Sequence, residues 1–257
     1  GKAVKVTAPT WRPDVHGSAD IVEEVVRIAG LDTIPSSAMP RLHGVTRSVL
    51  TEKQRRTRRT RRLLAARGLV EAITWSFIER KHARVFGGGE DALELANPIS
   101  SDMSSMRPSL LAGLLPAAQR NRNRGFADVG MFEIGQVFKG DRPEDQSQVA
   151  AGVRAGAAQL EGLGRDWRTP ADEAGVFDAK ADAAAVLAAL GVDVGKVQIT
   201  RDAPGWYHPG RSGVMRLGPK TVLAQFGEMH PDTLAALDVG APVAAFEVFL
   251  DAVPSSR

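Results

Sequence analysis

The stretches GVMRLGPKTVLAQFGEM (Gly213–Met229) and VAAFEVFLDA (Val243–Ala252) decide the fold class. Each consists of short runs rich in β-branched and aromatic residues, bounded by Gly, Pro and polar residues, which is the pattern of strands joined by turns. KVQITRD (Lys196–Asp202) adds a strand before them, and PDTLAALDV (Pro231–Val239) a short helix between the last two. Strands that follow one another at turn spacing pair antiparallel, so the chain is α+β, an antiparallel sheet with packed helices, rather than alternating βαβ.

Upstream, DVGMFEIGQVFK (Asp128–Lys139) and QVAAGVRAG (Gln148–Gly156) read as two further strands. LVEAITWSFI (Leu69–Ile78) and the short ALELANPIS (Ala92–Ser100) read as two more, the latter turning at Asn97–Pro98. Residues 157–167 are loop-like. Helices are expected from Thr51 to Arg67, from Ser109 to Arg122 with Pro116 kinking it or delaying its start, and over VFDAKADAAAVLAALGV (Val176–Val192). KAVKVTAP (Lys2–Pro9) has strand character without an obvious partner, so the sequence reads as part of a longer polypeptide.

Composition bounds the function. Of the 257 residues 43% are hydrophobic and 25% charged, ordinary for a globular protein, and a net charge of +3 does not by itself demand a nucleic-acid partner. Without cysteine there is neither disulfide nor thiolate metal site. No apolar run reaches the roughly 18 residues that span a bilayer. We therefore expect a cytoplasmic protein with no membrane association.

TWRPDVHGSADIVEEVVRIAGLDTIP (Thr10–Pro35) sets four acids, Asp14, Asp20, Glu23 and Glu24, around the start of one helix. Ser18 suits its N-cap, Ile21, Val22, Val25 and Ile28 recur at helical spacing, and Gly30 closes it. Oxygen ligands without Cys or His suit a hard cation such as Mg²⁺. The same spacing also describes a solvated helix face whose acids favour the N-terminal dipole. Spacing leaves both readings open.

Several stretches, PTWRPDV, ADIVEEVVRIAGLDTIP, ITWSFI, LANPISSDMSSMRPSLLAGLLPAAQRNRNRG, FEIGQVF, HPGRSG and GEMHP, together resemble the β chain of bacterial phenylalanyl-tRNA synthetase. The resemblance implies that residues 1–36 are the C-terminal part of a winged-helix-like B5 domain and 37–45 a linker. Residues 46–257 would be a class II aminoacyl-tRNA synthetase-like core that is non-catalytic. It further implies an α₂β₂ heterotetramer that charges tRNA(Phe) with phenylalanine, with ATP bound by the α subunit. Under this resemblance Asp14, Asp20, Glu23 and Glu24 belong to an Mg²⁺ site shared with that subunit. FEIGQVF holds no arginine of the kind an ATP α-phosphate needs, which agrees with a silent core.

Three smaller expectations complete the reading. Tyr207–Arg211 looks like a tight turn between strands, with Pro209 and Gly210 serving its geometry; the less favoured alternative makes His208 an acid–base residue and Arg211 a phosphate ligand. Trp75, Phe77, Phe132 and Phe138 are expected in the core. In Lys53–Arg67, Arg55, Arg58 and Arg62 lie among six arginines that cover most of the helix, leaving only a stripe of Thr57, Thr60 and Leu64. Such a helix calls for an acidic subunit surface or tRNA phosphate beside it, the alternative being a solvated basic face. Two other functions remain in view: a free nucleic-acid-binding protein using this helix and the winged-helix-like element, and an independent metal-dependent enzyme using the acids.

Overall fold

The computed structural model describes residues 3–39, 44, 48–158 and 172–255. Two compact units divide the chain, residues 1–48 and 49–257. The linker around Pro40 and most of the expected loop over 157–167 lie outside the described residues.

The first unit holds one helix, α1 (Ser18–Ala29). Its start is set by Gly17 rather than by Ser18, because the Asp20 carboxylate reaches back to accept from the amides of His16 (2.9 Å) and Gly17 (2.7 Å). Residues 3–9 form no strand, contrary to expectation; a strand needs a laddered neighbour, and no described segment supplies one. No residue of α1 is buried.

The second unit opens on α2 (Glu52–Ala66), begun by a reciprocal cap in which Thr51 Oγ1 accepts from the Gln54 amide and Gln54 Oε1 accepts from the Thr51 amide. Then come β1 (Val70–Glu71), β2 (Phe77–Ile78), α3 (Arg80–Val85), β3 (Ser105–Met106) and α4 (Leu111–Asn123). Pro116 sits inside α4 without delaying its start. The long strands follow: β4 (Val129–Phe138), β5 (Gln146–Ala155), α5 (Val176–Ala189), β6 (Gln198–Thr200), β7 (Tyr207–Leu217), β8 (Thr221–Met229), α6 (Pro231–Ala236) and β9 (Ala244–Phe249).

Seven strands form one sheet in the order β1-β4-β5-β9-β8-β7-β6, antiparallel except for β1 beside β4. β2 and β3 make a separate ribbon. Helix α4 covers one face, over Val149, Ala151, Val153 and Ala245; α5 and Leu64 of α2 cover the other, over Ala150, Ala224, Phe246 and Val248. Burial on both sides explains why β9 reads as an almost unbroken apolar run instead of alternating.

Four expectations need correction. LVEAITWSFI is not one strand but two short pieces, because residues 72–76 between them give carbonyls of Thr74 and Trp75 to the Arg107 guanidinium rather than to a ladder. ALELANPIS forms a 3₁₀ turn (Asp91–Leu93) and a single bridge, Glu94 to Ser105. Tyr207–Arg211 is the first half of β7, with a register shift before Ser212 in place of a tight turn, anchored by the fully buried Tyr207 ring. Trp75 is 69% exposed and outside the core, Phe77 is half-buried, and Phe132 and Phe138 are buried as expected.

Close packing at one glycine sets a test. A Cβ on Gly152 would stand 2.5 Å from Phe246 Cε1 and 2.7 Å from its Cζ. Gly152→Ala should therefore cost about 1–3 kcal/mol of unfolding free energy. Phe246→Leu in the same chain should recover part of that loss, measured as a non-additive double-mutant cycle in urea. Strict additivity would mean that the glycine is not required by Phe246.

Candidate functional site

The acids of the first unit are organised by an arginine. Arg12 Nη2 bonds Asp14 Oδ2 at 2.7 Å and Glu24 Oε1 at 2.5 Å, and Arg27 holds the other Glu24 oxygen at 2.7 Å. These hydrogen bonds, Arg12 first in each case, hold the Asp14 and Glu24 carboxyls down at about 2. The Asp20 carboxyl is lowered too, by the His16 and Gly17 amides. Glu23 is exposed. Asp14 and Glu24 thus meet at one guanidinium, Asp20 is occupied by backbone, and Glu23 stands apart. No three His, Asp or Glu side chains form a metal-holding group among the described residues. The donors are ionised oxygens of the right kind for Mg²⁺, but the place between Asp14 and Glu24 is filled by Arg12, so as they stand they do not fit an ion.

Helix α2 separates its arginines into two sets. Its inward stripe is Thr60 and Leu64, both fully buried. Arg56 donates to Glu52 (2.5 Å) and to the Leu250 carbonyl (2.7 Å), Arg61 to Glu71 (2.7 Å), and Arg67 just after the helix to Asp182 (2.5 Å). Arg55, Arg58, Arg59 and Arg62 remain exposed, and none forms an ion pair among the described residues. Their spacing of three, four and seven places them on one face. The result is a uniformly cationic surface on a rigid element.

The sheet face beneath α4 carries the polar groups that spacing alone did not single out. One cross-strand row runs Glu133 (β4), Ala151 (β5), Glu247 (β9), Gln225 (β8) and Val214 (β7). Glu133, Glu247 and Gln225 are all buried. Glu133 takes Arg107 Nη1 at 2.8 Å and the Thr74 hydroxyl at 2.7 Å, while Arg107 Nε donates to the Gln136 carbonyl. Gly135 makes room for this, since a Cβ there would meet Arg107 Nη2 at 2.5 Å. Glu247 forms no ion pair among the described residues; the Ser109 hydroxyl donates to its Oε1 at 2.7 Å, and burial pushes its carboxyl up to about 7. The signal for these positions was a single charged residue inside an otherwise apolar strand, as in MFEIG and AFEVF.

Elsewhere the sheet offers little free chemistry. His208 Nδ1 accepts from the Gly210 amide and its ring stacks on His230, centroids 6.4 Å apart. Arg211 is bound to Glu228 at 2.5 Å, and His230 caps α6 by accepting from the Asp232 amide. Arg154 is held by Asp182 at 2.6 Å and Arg216 by Asp202. Every arginine on a sheet strand, together with Arg107, is therefore committed to a carboxylate.

Comparison with known proteins gives a consistent result. Residues 34–250 match the model of the phenylalanyl tRNA synthetase beta chain CLM domain, and residues 1–31 that of the tRNA synthetase B5 domain. The chain is 57% identical over 257 residues to a phenylalanine–tRNA ligase beta subunit of Bradyrhizobium diazoefficiens and 55% identical over 256 residues to that of Mesorhizobium japonicum. In both cases the match takes in 100% of this chain and 32% of the relative, so the chain spans about a third of the length of these relatives. Among solved structures, two pyrrolysyl-tRNA synthetase structures from Desulfitobacterium hafniense superpose with TM-scores of 0.53 and 0.55 at 15% and 16% identity. They cover 77% of this chain and 66% and 67% of theirs. At that identity the likeness establishes the fold alone, a mixed α+β class II synthetase-like sheet.

Glu247 makes the stability of this sheet depend on pH. Unfolded, its carboxyl titrates near 4.5; folded, near 7. Between those values the native state holds the extra proton, so this group's contribution is fully present below 4.5 and is lost as pH rises through 7, by about 3 kcal/mol. Glu247→Gln, which keeps the shape without a titrating proton, should gain on the parent steadily from pH 4.5 to 7.5 in urea unfolding. A stability difference that does not vary with pH would show that Glu247 ionises normally.

Proposed function

The chain belongs to the phenylalanyl-tRNA synthetase β-chain family, and from that membership we propose that it forms the non-catalytic core portion of the β subunit of an ATP-dependent phenylalanine–tRNA ligase. The observation that carries the non-catalytic reading is the commitment of every strand arginine, and of Arg107, to a carboxylate. Activating an amino acid with ATP requires fixed positive charge where negative charge develops on phosphate, and an arginine already neutralised by a buried or facing carboxylate supplies little of it. In this reading ATP is bound by the α subunit, and the working enzyme is an α₂β₂ assembly with tRNA(Phe) in the cytoplasm. No described helix is long and apolar enough to cross a membrane.

Residues 1–36 are proposed as the C-terminal part of a winged-helix-like B5 domain, 37–45 as its linker and 46–257 as the core. The exposed apolar stripe of Val22, Val25 and Ile28 on α1 supports such a placement, since it is a surface that the remainder of a domain would cover. Asp14, Asp20, Glu23 and Glu24 are proposed to contribute Mg²⁺ contacts in the assembled enzyme only. The face of Arg55, Arg58 and Arg62 is proposed to meet an acidic surface of another subunit, because four unpaired guanidinium groups on one rigid face attract a fixed anionic partner.

One experiment with three arms tests these assignments. Co-expressed with an α chain, this protein should co-purify with it; alone, it should show no phenylalanine-dependent ATP–pyrophosphate exchange. Exchange by the pure chain would overturn the non-catalytic reading. Glu23→Gln with Glu24→Gln should raise the Mg²⁺ concentration needed for assembly or charging while leaving the isolated fold intact; an unchanged Mg²⁺ dependence would make these acids a solvated face. Arg55→Gln, Arg58→Gln and Arg62→Gln together should weaken subunit association more than tRNA binding. The reverse order, with part of the salt dependence of tRNA affinity lost, would assign the face to phosphate contacts.

A further inference from the structure

Helix α4 ends in QRNRNRGF (Gln119–Phe126), a stretch whose polar side chains fall into two sets. One set is spent inside the protein. Gln119 accepts from the Gly240 amide at 2.9 Å and donates to Asn123 at 2.7 Å, and Arg122 donates to the Gly240 carbonyl at 2.8 Å. Asn121 donates to the Ala117 carbonyl at 2.9 Å. The turn beyond closes on Gly125, at φ 97°, whose amide donates to Arg122 while that of Phe126 donates to Asn121. This end of the helix is therefore fixed, and it holds down the loop after α6.

The other set is free. Arg120, Arg124 and Phe126 are exposed, Phe126 by 60%. Arg120 and Arg124 stand four residues apart and so share one side of the helix. Neither has a bonding partner among the described residues, and Arg122, bonded only to a neutral carbonyl, keeps its charge unbalanced. Asp128, two residues past Phe126, accepts from the Ala157 amide, and Asp238, two residues before Gly240, forms no ion pair. A helix C-terminus attracts a cation through its free carbonyls, but like charges at i,i+4 repel. Three uncompensated guanidinium groups exceed what the helix end needs, and an exposed phenylalanine contributes nothing to it.

Such a surface suits a polyanion that carries flat rings. Around Phe126 the exposed side chains are Arg120, Asn123 and Arg124, so a protein partner would find no apolar centre to bury. A guanidinium matches phosphate oxygens with a rigid fork of donors, and an aromatic ring takes an unstacked base of any identity on its face. We propose that the C-terminal end of α4 is a contact surface for single-stranded RNA, with Arg120 and Arg124 on backbone phosphates and Phe126 stacked on a base. In the ligase reading that RNA is an unpaired segment of tRNA(Phe), and only this identity rests on that reading. The surface is separate from the arginine face of α2, since the two helices cover opposite faces of the sheet.

The test is fluorescence anisotropy of the whole chain with a labelled, unstructured RNA of about 16 nucleotides and with a duplex of the same length. Salt is varied from about 50 to 200 mM, and the series is repeated with tRNA(Phe) on the chain co-purified with an α chain. Arg120→Gln with Arg124→Gln should weaken the single strand about tenfold. It should also lower the slope of log affinity against log salt by about 1.4, two phosphate contacts at about 0.7 each. Phe126→Ser should weaken the single strand about fivefold or more, with the slope and the duplex affinity unchanged. All three positions are exposed, so a native thermal transition should survive in each variant. Arg55→Gln, Arg58→Gln and Arg62→Gln, measured beside them, report on α2 separately. The proposal is overturned if the single strand binds no tighter than about 0.1 mM at the lowest salt, or if the α4 variants bind it as the parent does. It is overturned equally if they lose the α chain instead of the RNA, which would make this end of α4 a protein contact. RNA binding through these residues in a chain that never co-purifies with an α chain would support the surface and defeat the ligase reading.

Discussion

Asp182 is the point on which the second unit turns. Its carboxylate is fully buried on α5, takes Arg154 of β5 through both oxygens at 2.6 and 3.1 Å, and takes Arg67 at the end of α2 at 2.5 Å. Arg154 also donates to the Arg67 carbonyl. A buried charge is tolerated only when it is paired and fully bonded, and removing one partner of such a pair costs about 3–5 kcal/mol. The clamp ties both helices of one sheet face to a central strand. It thereby fixes which side of α2 turns inward and which presents its arginines.

The two sides of the sheet are built on different terms. Beneath α5 the contacts are apolar apart from this one clamp, so tight packing, such as Gly152 under Phe246, decides their stability. Beneath α4 the sheet buries two carboxylates, a guanidinium and an amide in and beside a single cross-strand row. Glu133 is matched by Arg107, whereas Glu247 has only hydroxyl and amide partners and keeps its proton instead. Polar groups at this density do not serve stability as economically as hydrocarbon would.

Much of this was legible in the sequence where one physical rule acted alone. The basic run from Thr51 to Arg67 gave α2, the alanine-rich run from Val176 gave α5, and β-rich runs bounded by turn residues gave β4, β5, β8 and β9. Reading failed where a distant side chain intervened. Arg107 takes the backbone carbonyls around Thr74, so a stretch with strand composition does not ladder. Tyr207 buries its ring and Arg211 reaches Glu228 across to β8, so a stretch with turn composition extends. The four acids near α1 were visible by spacing, but Arg12, only two residues from Asp14, decides how two of them are held. The cationic face of α2 was visible as composition; which arginines are spent internally was not, because Glu71 and Asp182 lie in other elements.

The sheet also ends in a particular way. At one border stands β1, two residues long, and at the other β6, three residues long, while the strands between them run from six to eleven. A wide, apolar, antiparallel sheet would offer a template for joining its neighbours edge to edge if its borders carried long rows of free amides and carbonyls. Here β1 covers only Met131 and Phe132 of the ten-residue β4, and β6 only Val214, Met215 and Arg216 of the eleven-residue β7. The border strands blunt the sheet without closing it, so the stretches of β4 and β7 that no strand covers are where a further strand would have to add.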